Sequence, residues 1–140
     1  MIHELATLYA LIKRFEGCYL MPYLCPAGVW TCGWGSTGRD VFPGRSWTQE
    51  YADQRLEQDA IRFAVGVLKL CPHLAGARLC AIADFAYNLG LGNLGASTLL
   101  KRLRSERWED ARREIRRWVY AGGRKLRGLV LRREAEAALL

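Results

Sequence analysis

A glycine- and aromatic-rich segment, residues 18–44, interrupts a chain whose other long segments have helical hydrophobic spacing. Within it, Pro26, Ala27 and Gly28 stand between two runs of extended character, YLMPYLC and VWTCGWG. This composition favours short strands joined by turns, because Pro and Gly supply the backbone angles that turns need. The segment therefore predicts a small antiparallel sheet inserted into a mostly helical protein.

Apolar residues recur every three or four positions on both sides of this segment, which indicates helices with one apolar face. The first helix is predicted over residues 3–15, with Gly17 as its stop. A capping box, with Ser46 as N-cap and Gln49 three positions later, predicts the start of a long helix that continues to about residue 70. Further helices are predicted over residues 79–89, 97–103 (with Ser97 as cap), 108–118 and 125–138, with a Gly122-Gly123 loop before the last.

The chain has 140 residues, of which 51% are hydrophobic and 25% are charged. These values are typical of one globular domain and exclude a disordered chain. No apolar run approaches the roughly 20 residues that are needed to cross a bilayer. The N-terminus has no basic segment and no small-residue cleavage site, so we expect no secretory signal and accumulation in the cytosol.

The net positive charge of the chain comes entirely from its C-terminal region. Residues 1–100 hold 8 Lys and Arg against 8 Asp and Glu, whereas residues 101–140 hold 13 against 6, a net charge of +7. A basic surface favours a polyanionic partner, such as nucleic acid, anionic lipid or an acidic wall polymer. The alternative is a solvated helix face with charge pairs along it, such as Glu109 with Arg113.

Five cysteines, at positions 18, 25, 32, 71 and 80, cannot all pair within one chain. None forms a C-x-x-C motif, and only His3 and His73 are available as histidine ligands. We therefore expect no zinc site, no other metal and no cofactor. Cysteines of cytosolic proteins are mostly reduced and buried. Cys25 differs from the other four because of its neighbours in the sequence.

One stretch, residues 15–38, combines an acid, loop glycines and aromatic residues. Glu16 ends the first predicted helix, Cys25 precedes the predicted turn, and Thr31 lies on the returning strand. A hairpin brings residues 25 and 31 together over the end of that helix, so a carboxyl group, a thiol and a hydroxyl are expected to face one cleft. The glycines let a bulky substrate approach the backbone closely.

The spacing Glu16-x8-Cys25-x5-Thr31 resembles the Glu-x8-Asp-x5-Thr triad of the phage-type lysozymes, the endolysin family of glycoside hydrolases. Further motifs resemble segments of that family in the same order along nearly the whole chain. They are AYNLG at residues 86–90, RW at 107–108 and 117–118, GG at 122–123, and GLVLRREAE at 128–136.

The resemblance implies a lysozyme fold, an α+β and mostly helical arrangement in a single domain over residues 1–140. In such a fold we expect a small antiparallel β lobe with the catalytic cleft at about residues 16–45. The remaining parts, residues 1–15 and 46–140, are expected to be helical, with a long helix joining the lobe to the C-terminal part.

The resemblance also implies hydrolysis of the β-1,4 bond between N-acetylmuramic acid and N-acetylglucosamine in peptidoglycan, for lysis of the host cell. This chemistry needs an acid for the leaving oxygen and an anionic group near the developing oxocarbenium ion. The resemblance assigns the acid to Glu16, the anionic group to Cys25, where the family has Asp, and a supporting hydroxyl to Thr31. The residues expected to contact substrate are Ser36 (where the family commonly has His), Thr37, Tyr87, Asn88 and Arg124, the last as a basic neighbour of the catalytic groups.

The implied partner is peptidoglycan, with no nucleic acid and no stable membrane insertion. We expect a monomer that stays in the host cytoplasm until a holin releases it to the wall in the periplasm. Two other interpretations stay open from the sequence: a catalytically inactive lysozyme-like module that binds the wall, and a basic helical protein that binds nucleic acid. The cysteine at the aspartate position also leaves inversion and retention of the anomeric configuration open.

Overall fold

The computed structural model describes residues 2–140, which form seven helices and four short strands. The predicted class, mostly helical with a small antiparallel sheet, is confirmed. In chain order the elements are α1 (Ile2–Glu16), β1 (Tyr19–Leu24), β2 (Trp30–Gly33), α2 (Gln49–Leu70), α3 (Gly76–Leu89), α4 (Leu91–Gly95), α5 (Thr98–Arg104), α6 (Trp108–Ile115), β3 (Tyr120–Ala121), β4 (Arg124–Lys125) and α7 (Arg127–Ala138).

The first hairpin forms where the glycine- and aromatic-rich segment predicts it. β1 and β2 pair antiparallel, with Tyr23 opposite Thr31, and the register shifts between Tyr19 and Tyr23. The turn is closed by two backbone hydrogen bonds, from Gly28 N to Cys25 O at 2.8 Å and from Cys25 N to Val29 O at 3.0 Å. The hairpin therefore holds Cys25 at the end of β1, close to the strand that carries Thr31.

Helix α1 places its last residue at the edge of this hairpin. Leu8 and Ile12 are buried against Leu56 of α2 and Ala83 of α3, which fixes the helix in the core. Gly17 follows with φ +68°, a conformation that suits glycine and ends the helix. Glu16 is the final helical residue and keeps part of its surface exposed toward the hairpin.

The long helix α2 begins later than its sequence predicts. Its N-cap is Thr48, whose Oγ1 accepts a hydrogen bond from Tyr51 N at 3.1 Å, so the prediction of Ser46 as the cap is wrong. Trp47 explains the shift, because its side chain is buried and its backbone N–H donates to Leu20 O at 2.8 Å. That bond holds the segment before the helix against β1.

Helix α2 contacts two parts of the hydrophobic core. Near its start, Ala52 packs with Cys32, Val41 and Trp47 beneath the first hairpin. Near its end, Val67 belongs to the large cluster that α3, α5, α6 and α7 build. A helix of 22 residues is about 33 Å long, so α2 joins the sheet to the C-terminal helices.

The C-terminal elements follow their predictions in order but differ in extent. Helix α3 begins three residues before its predicted start, α4 is a helix that the sequence analysis does not predict, and α6 ends at Ile115 and not at residue 118. Ser97 caps α5, as predicted, by accepting a hydrogen bond from Leu100 N at 3.0 Å. The last helix begins at Arg127, not at residue 125, because β3 and β4 form a second hairpin around Gly122 and Gly123. Both glycines have positive φ, +57° and +76°, which is the geometry of a tight hairpin turn.

Four charged side chains are buried where α7 crosses α3. Arg132 donates to both carboxylate oxygens of Asp84 at 2.8 Å. Arg133 donates from Nη2 to Glu136 Oε1 and to Asn88 Oδ1, both at 2.8 Å. Burial raises the pKa of Glu136 well above its ordinary value. These contacts fix α7 against the end of α3, where residues of the cavity described below are located.

All five cysteines are free in the structure. Cys32, Cys71 and Cys80 are buried, whereas Cys18 and Cys25 are partly exposed. Within residues 2–140, no helix has both the length and the hydropathy that crossing a bilayer requires.

Candidate active site

A cavity of about 490 Å³ lies between the first hairpin, the end of α1, and helices α2 and α3. The three groups that the sequence singles out, Glu16, Cys25 and Thr31, all line it. The other lining residues are Tyr23, Pro26, Val29, Gly35, Thr37, Asp59, Arg62, Phe63, Tyr87 and Asn88.

Glu16 is held at this cavity by a buried arginine. Arg132 donates from Nη1 to Glu16 Oε1 at 2.8 Å, and the same guanidinium is fixed by the two bonds to Asp84. Oε1 accepts this bond, and Oε2 is the oxygen that faces Gly35.

Gly35 leaves room for that oxygen. A Cβ on this residue would lie 2.7 Å from Glu16 Oε2, closer than real Cβ contacts, and 3.0 Å from Glu16 Cδ, so the Glu16 carboxyl group would have to move. Its φ is +89°, so a side chain would also strain the backbone. A side chain at this position would therefore both displace the Glu16 carboxyl group and strain the backbone.

We expect Gly35→Ala to lower lytic activity by up to about 10²-fold, because a displacement of a catalytic group by 1 Å can have that effect. The matched control is Gly44→Ala, where φ is +85° but nothing lies within 4 Å of the added Cβ. Both variants carry similar backbone strain, which thermal unfolding measures, and only Gly35→Ala disturbs Glu16. Equal activity of the two variants would contradict this role of Gly35.

Cys25 stands at the turn of the first hairpin, and the backbone of that turn acts on its thiol. The pKa of its thiol is lowered, chiefly by the backbone hydrogen bond of Val29. Burial opposes this shift, and smaller lowering contributions come from Ala27, Thr31 and Gly28. Thr31 Oγ1 donates to Val29 O at 3.0 Å in this arrangement. A hydroxyl has one proton, so Thr31 donates either to that carbonyl or to a thiolate at Cys25.

Three of the residues expected to contact substrate line the cavity. Thr37 is exposed, and its backbone carbonyl accepts a hydrogen bond from Arg55 Nη2 at 2.9 Å. Tyr87 donates its hydroxyl to Trp34 O at 2.6 Å, and burial raises its pKa, so the phenol stays neutral. The side-chain carbonyl oxygen of Asn88 accepts a hydrogen bond from Arg133, which leaves the amide NH₂ for a ligand.

The other two lie elsewhere. Ser36 is buried and is not among the lining residues; its hydroxyl donates to Asp59 Oδ2 at 2.7 Å. Arg124 is exposed on β4, and the basic neighbour of Glu16 is Arg132 instead. The pKa of Cys25 is lowered by the backbone of the turn and not by the positive charge of Arg124.

The sequence analysis does not single out Asp59, Arg62 or Phe63, which face the cavity from α2. Their spacing of three and four positions places them on one face of that helix, and this is the sequence pattern that could have identified them together. Asp59 is nearly buried and lies 3.5 Å from Arg62 and 3.6 Å from Arg55. Within residues 2–140, no group of three or more His, Cys, Asp or Glu side chains is arranged to hold a metal ion.

The Phage lysozyme family model matches residues 13–136 of the chain. This range includes Glu16, Cys25 and Thr31 as well as Arg132. Among curated relatives, the SAR-endolysin of Bacteriophage PS119 is 35% identical over 125 residues, which cover 86% of this chain and 73% of the relative. The endolysin of Bacillus phage B103 is 38% identical over 132 residues, which cover 92% of this chain but 50% of the relative.

A solved structure agrees with the sequence relatives. The muramidase domain of SpmX from Asticaccaulis excentricus is 30% identical and superimposes with a TM-score of 0.83. The match covers 94% of this chain and 92% of that domain. On the family match, the identities and this superposition, the chain belongs to the phage lysozyme family.

Proposed function

We propose that Glu16, Cys25 and Thr31 are the catalytic groups of this lysozyme and that the cavity holds the sugars of its substrate. The chain is a glycoside hydrolase of the muramidase type, an endolysin that hydrolyses the β-1,4 bond between N-acetylmuramic acid and N-acetylglucosamine. The observation that carries the site assignment is that a carboxyl group, a thiol of lowered pKa and a hydroxyl line one cavity.

Glu16 acts as the general acid. Its Oε2 carries the proton, which passes to the glycosidic oxygen as the bond to the anomeric carbon breaks. Arg132 positions the carboxyl group through Oε1 and is itself fixed by Asp84. Arg132 and Asp84 are therefore positioning residues, since each acts through another group.

Cys25 supplies the second group as a thiolate, and two routes are available to it. In the first, the thiolate and Thr31 orient a water that attacks the anomeric carbon, and the configuration inverts. In the second, the sulfur itself bonds to that carbon, water then hydrolyses the thioglycosyl intermediate, and the configuration is retained. The anomer that forms first, observed by proton NMR during digestion, distinguishes the routes.

Substrate contacts in this proposal come from Thr37, Tyr87 and Asn88. The Asn88 amide NH₂ donates to an N-acetyl carbonyl or a hydroxyl oxygen of the sugar. Tyr87 offers the face of its ring to the sugar. Its ring centroid lies 5.5 Å from that of Phe63, which also lines the cavity. Ser36 contributes indirectly, because its bond to Asp59 ties the loop that carries Thr37 to helix α2.

A clearing assay tests the function directly. Purified protein is added to bacteria whose outer membrane has been stripped, and the turbidity is followed. We expect clearing by the native chain and release of soluble muropeptides. Binding to the sacculi without clearing would instead support the inactive wall-binding module.

Lysis in the cell depends on a route to the wall, and we propose that the chain is a monomer that a holin releases from the cytoplasm. The names of the relatives differ on this point, because the PS119 protein is called a SAR-endolysin and the B103 protein an endolysin. Expression of the chain in a bacterial host with and without a holin tests the proposal. We expect lysis only when the holin is present, and lysis without one would contradict it.

The basic C-terminal region contributes to wall association in this proposal. Both arginines of α6 are paired with acids three positions away, Arg112 with Glu109 and Arg113 with Asp110. The predicted pair of Glu109 with Arg113 is therefore wrong, because each of these residues pairs with a different partner. The exposed cations available to a polyanion include Arg124, Lys125 and Arg127, next to the second hairpin.

We expect the triple variant Arg124→Gln, Lys125→Gln, Arg127→Gln to pellet less with purified cell walls and to lose salt dependence. The reason is that exposed charges act over a distance that salt screens, with a Debye length of about 8 Å at physiological ionic strength. The measurement is cosedimentation with walls across a range of salt concentrations. Unchanged pelleting at every concentration would remove the proposed role of these residues.

A further inference from the structure

A tight turn at the end of strand β2 faces the catalytic carboxyl group. Its three residues are Gly33, Trp34 and Gly35. Two backbone hydrogen bonds between Cys32 and Ser36, at 2.8 and 2.9 Å, close the turn. The two glycines have positive φ, +63° and +89°, which lets the chain reverse within so few residues. Trp34 supplies the only side chain of the turn, and it lies outside the lining of the cavity.

The turn is packed closely on both of its sides. On one side, a Cβ added to Gly33 would lie 3.0 Å from the ring of Trp47 and 3.3 Å from Ala52. On the other side, a Cβ added to Gly35 would lie 2.7 Å from Glu16 Oε2. Because the backbone of the turn lies directly against the carboxyl group, a displacement of the turn changes the space that this group can occupy.

Three helices hold Trp34 in its place. Its Nε1 donates a hydrogen bond to Asp53 Oδ1 on α2 at 2.8 Å. Its backbone oxygen accepts a hydrogen bond from the hydroxyl of Tyr87 on α3 at 2.6 Å. Lys13 on α1 places its Nζ 5.3 Å from the centre of the indole ring, within the range of a cation–π contact. The position of the turn is therefore set by α1, α2 and α3 together.

The contact with Asp53 is a hydrogen bond to an ionised group. The bond from Trp34 is the largest cause that lowers the pKa of Asp53, and a second bond, from Gln49 at 3.0 Å, acts in the same direction. Asp53 is thus a carboxylate in neutral solution. Hydrogen bonds to a carboxylate are stronger than those between neutral groups, so the indole is held by more than packing.

The two oxygens of the catalytic carboxyl group have different supports. Arg132 donates a hydrogen bond to Glu16 Oε1, whereas Gly35 lies against Oε2. The direction in which Oε2 points depends on where the turn lies, and the contacts of Trp34 determine where the turn lies. General acid catalysis requires the donor oxygen within hydrogen-bond reach of the leaving oxygen, so this direction matters for the reaction.

We propose that Trp34 is a positioning residue for the catalytic acid, with the Tyr87 hydroxyl and the Asp53 carboxylate holding its turn in place. Trp34 does not touch the substrate but acts through Gly35 on Glu16. The hydroxyl of Tyr87 serves this purpose while its ring faces the cavity. The inference rests on the function proposed above, with Glu16 as the acid, and adds the side chain that fixes the orientation of Oε2.

Two conservative variants each remove one bond. Trp34→Phe keeps an aromatic ring in the turn but loses the hydrogen bond to Asp53. Tyr87→Phe keeps the ring at the cavity but loses the hydrogen bond to Trp34 O. The measurement is kcat and KM on soluble peptidoglycan strands. We expect each variant to lower kcat about three- to tenfold, the effect of one hydrogen bond, and to change KM by less than about twofold.

Trp108→Phe is the matched control. Trp108 is also partly buried and lies under a cation, with the guanidinium of Arg78 3.8 Å from its ring centre, but it belongs to α6. This variant should keep the native kcat and KM. Thermal unfolding of all three variants confirms that the folded protein is being compared.

A second background, Glu16→Gln, separates positioning from loss of folded protein. An amide has no proton to give, so the direction of Oε2 no longer affects the rate. Trp34→Phe should therefore leave the residual rate of Glu16→Gln unchanged. A residue that acts only through stability would lower the rate by the same factor in both backgrounds.

A loss of the same factor in both backgrounds would overturn the proposal. A raised KM at constant kcat in the two Phe variants would also overturn it, because it would indicate contacts to the substrate, and so would native kinetics in both. If the native chain cleaves no strands, the muramidase function itself fails, and if Glu16→Gln keeps the native rate, the assignment of the acid fails. The three failures are therefore distinguishable in one set of measurements.

Discussion

Glu16→Gln is expected to lower the rate of wall hydrolysis by about 10²–10⁴-fold, the range of general acid catalysis. An amide cannot give a proton to the glycosidic oxygen, whereas its carbonyl oxygen still accepts the bond from Arg132. The fold is therefore retained, because Arg132 also keeps both bonds to Asp84. The measurement is the initial rate of clearing, with circular dichroism and thermal unfolding to confirm the fold.

A surface glutamate supplies the matched control. Glu134 also accepts a hydrogen bond from an arginine, Arg116, at 2.9 Å, but it is exposed and does not line the cavity. Glu134→Gln makes the same change of carboxylate to amide in an ion pair and should retain nearly full activity. If Glu16→Gln clears cells within a few-fold of the native rate, the assignment of the acid to Glu16 is wrong.

Cys25→Ser is expected to lower activity by about 10²–10³-fold, the usual effect of removing one group that stabilises charge in a transition state. A serine hydroxyl fits the same turn but stays neutral at pH 7, so the anion is lost. Cys25→Asp is expected to retain activity, because it restores a carboxylate at the position where the family has one. A clearing assay on the three proteins at equal concentration makes the comparison.

The pH dependence of the Asp variant gives a second test. A group that must be an anion loses its function as the pH falls through its pKa. Ordinary pKa values are about 3.9 for Asp and about 8.5 for Cys, and the turn amides lower the pKa of Cys25 from its ordinary value. We therefore expect the Asp variant to remain active at lower pH than the native chain, and coincident acid limbs would contradict a thiolate role.

Thiol chemistry separates Cys25 from the other cysteines. A thiol reagent should inactivate the native chain, and soluble muropeptides should slow the inactivation. Cys18 is the matched control, because it is also partly exposed and burial raises its pKa, so Cys18→Ser should remain both active and sensitive to the reagent. A Cys25→Ser protein with native activity would leave Glu16 and a water as the whole machinery.

The helices and the hairpin are predictable because local sequence determines them. The stop at Gly17 and the cap at Ser97 depend on neighbouring residues alone. Helix α2 starts at Gln49, two residues after Trp47, because the burial of that tryptophan against other elements overrides the capping box at Ser46. Propensity alone cannot anticipate a contact that is made between distant parts of the chain.

The site is predictable in its reactive groups but not in the residues that support them. Glu16, Cys25 and Thr31 lie within one stretch of the sequence, and all three line the cavity. Arg132 is 116 positions from Glu16, and no spacing rule distinguishes it from the many other arginines of the C-terminal region. The sequence predicts Arg124 as the basic neighbour of the catalytic groups, yet the second hairpin places it at the surface.

The lowered pKa of Cys25 also depends on a contact that the sequence does not predict. It comes chiefly from the backbone of Val29 and not from a charged side chain, so residue types give no sign of it. The buried bond between Ser36 and Asp59 is a further case, because a serine in a glycine-rich loop is ordinarily solvated. Such contacts depend on backbone geometry, which becomes visible only when the chain is folded.

The masses of the digestion products test the central claim, that this chain is a muramidase with Glu16 as its acid. Purified sacculi are digested with the native chain and with Glu16→Gln, and the soluble products are examined by mass spectrometry before and after borohydride reduction. We expect disaccharide peptides with N-acetylmuramic acid at the reducing end from the native chain and almost none from the variant. Products lighter by one water, products that end in reducing N-acetylglucosamine, or equal release by the variant would contradict the account.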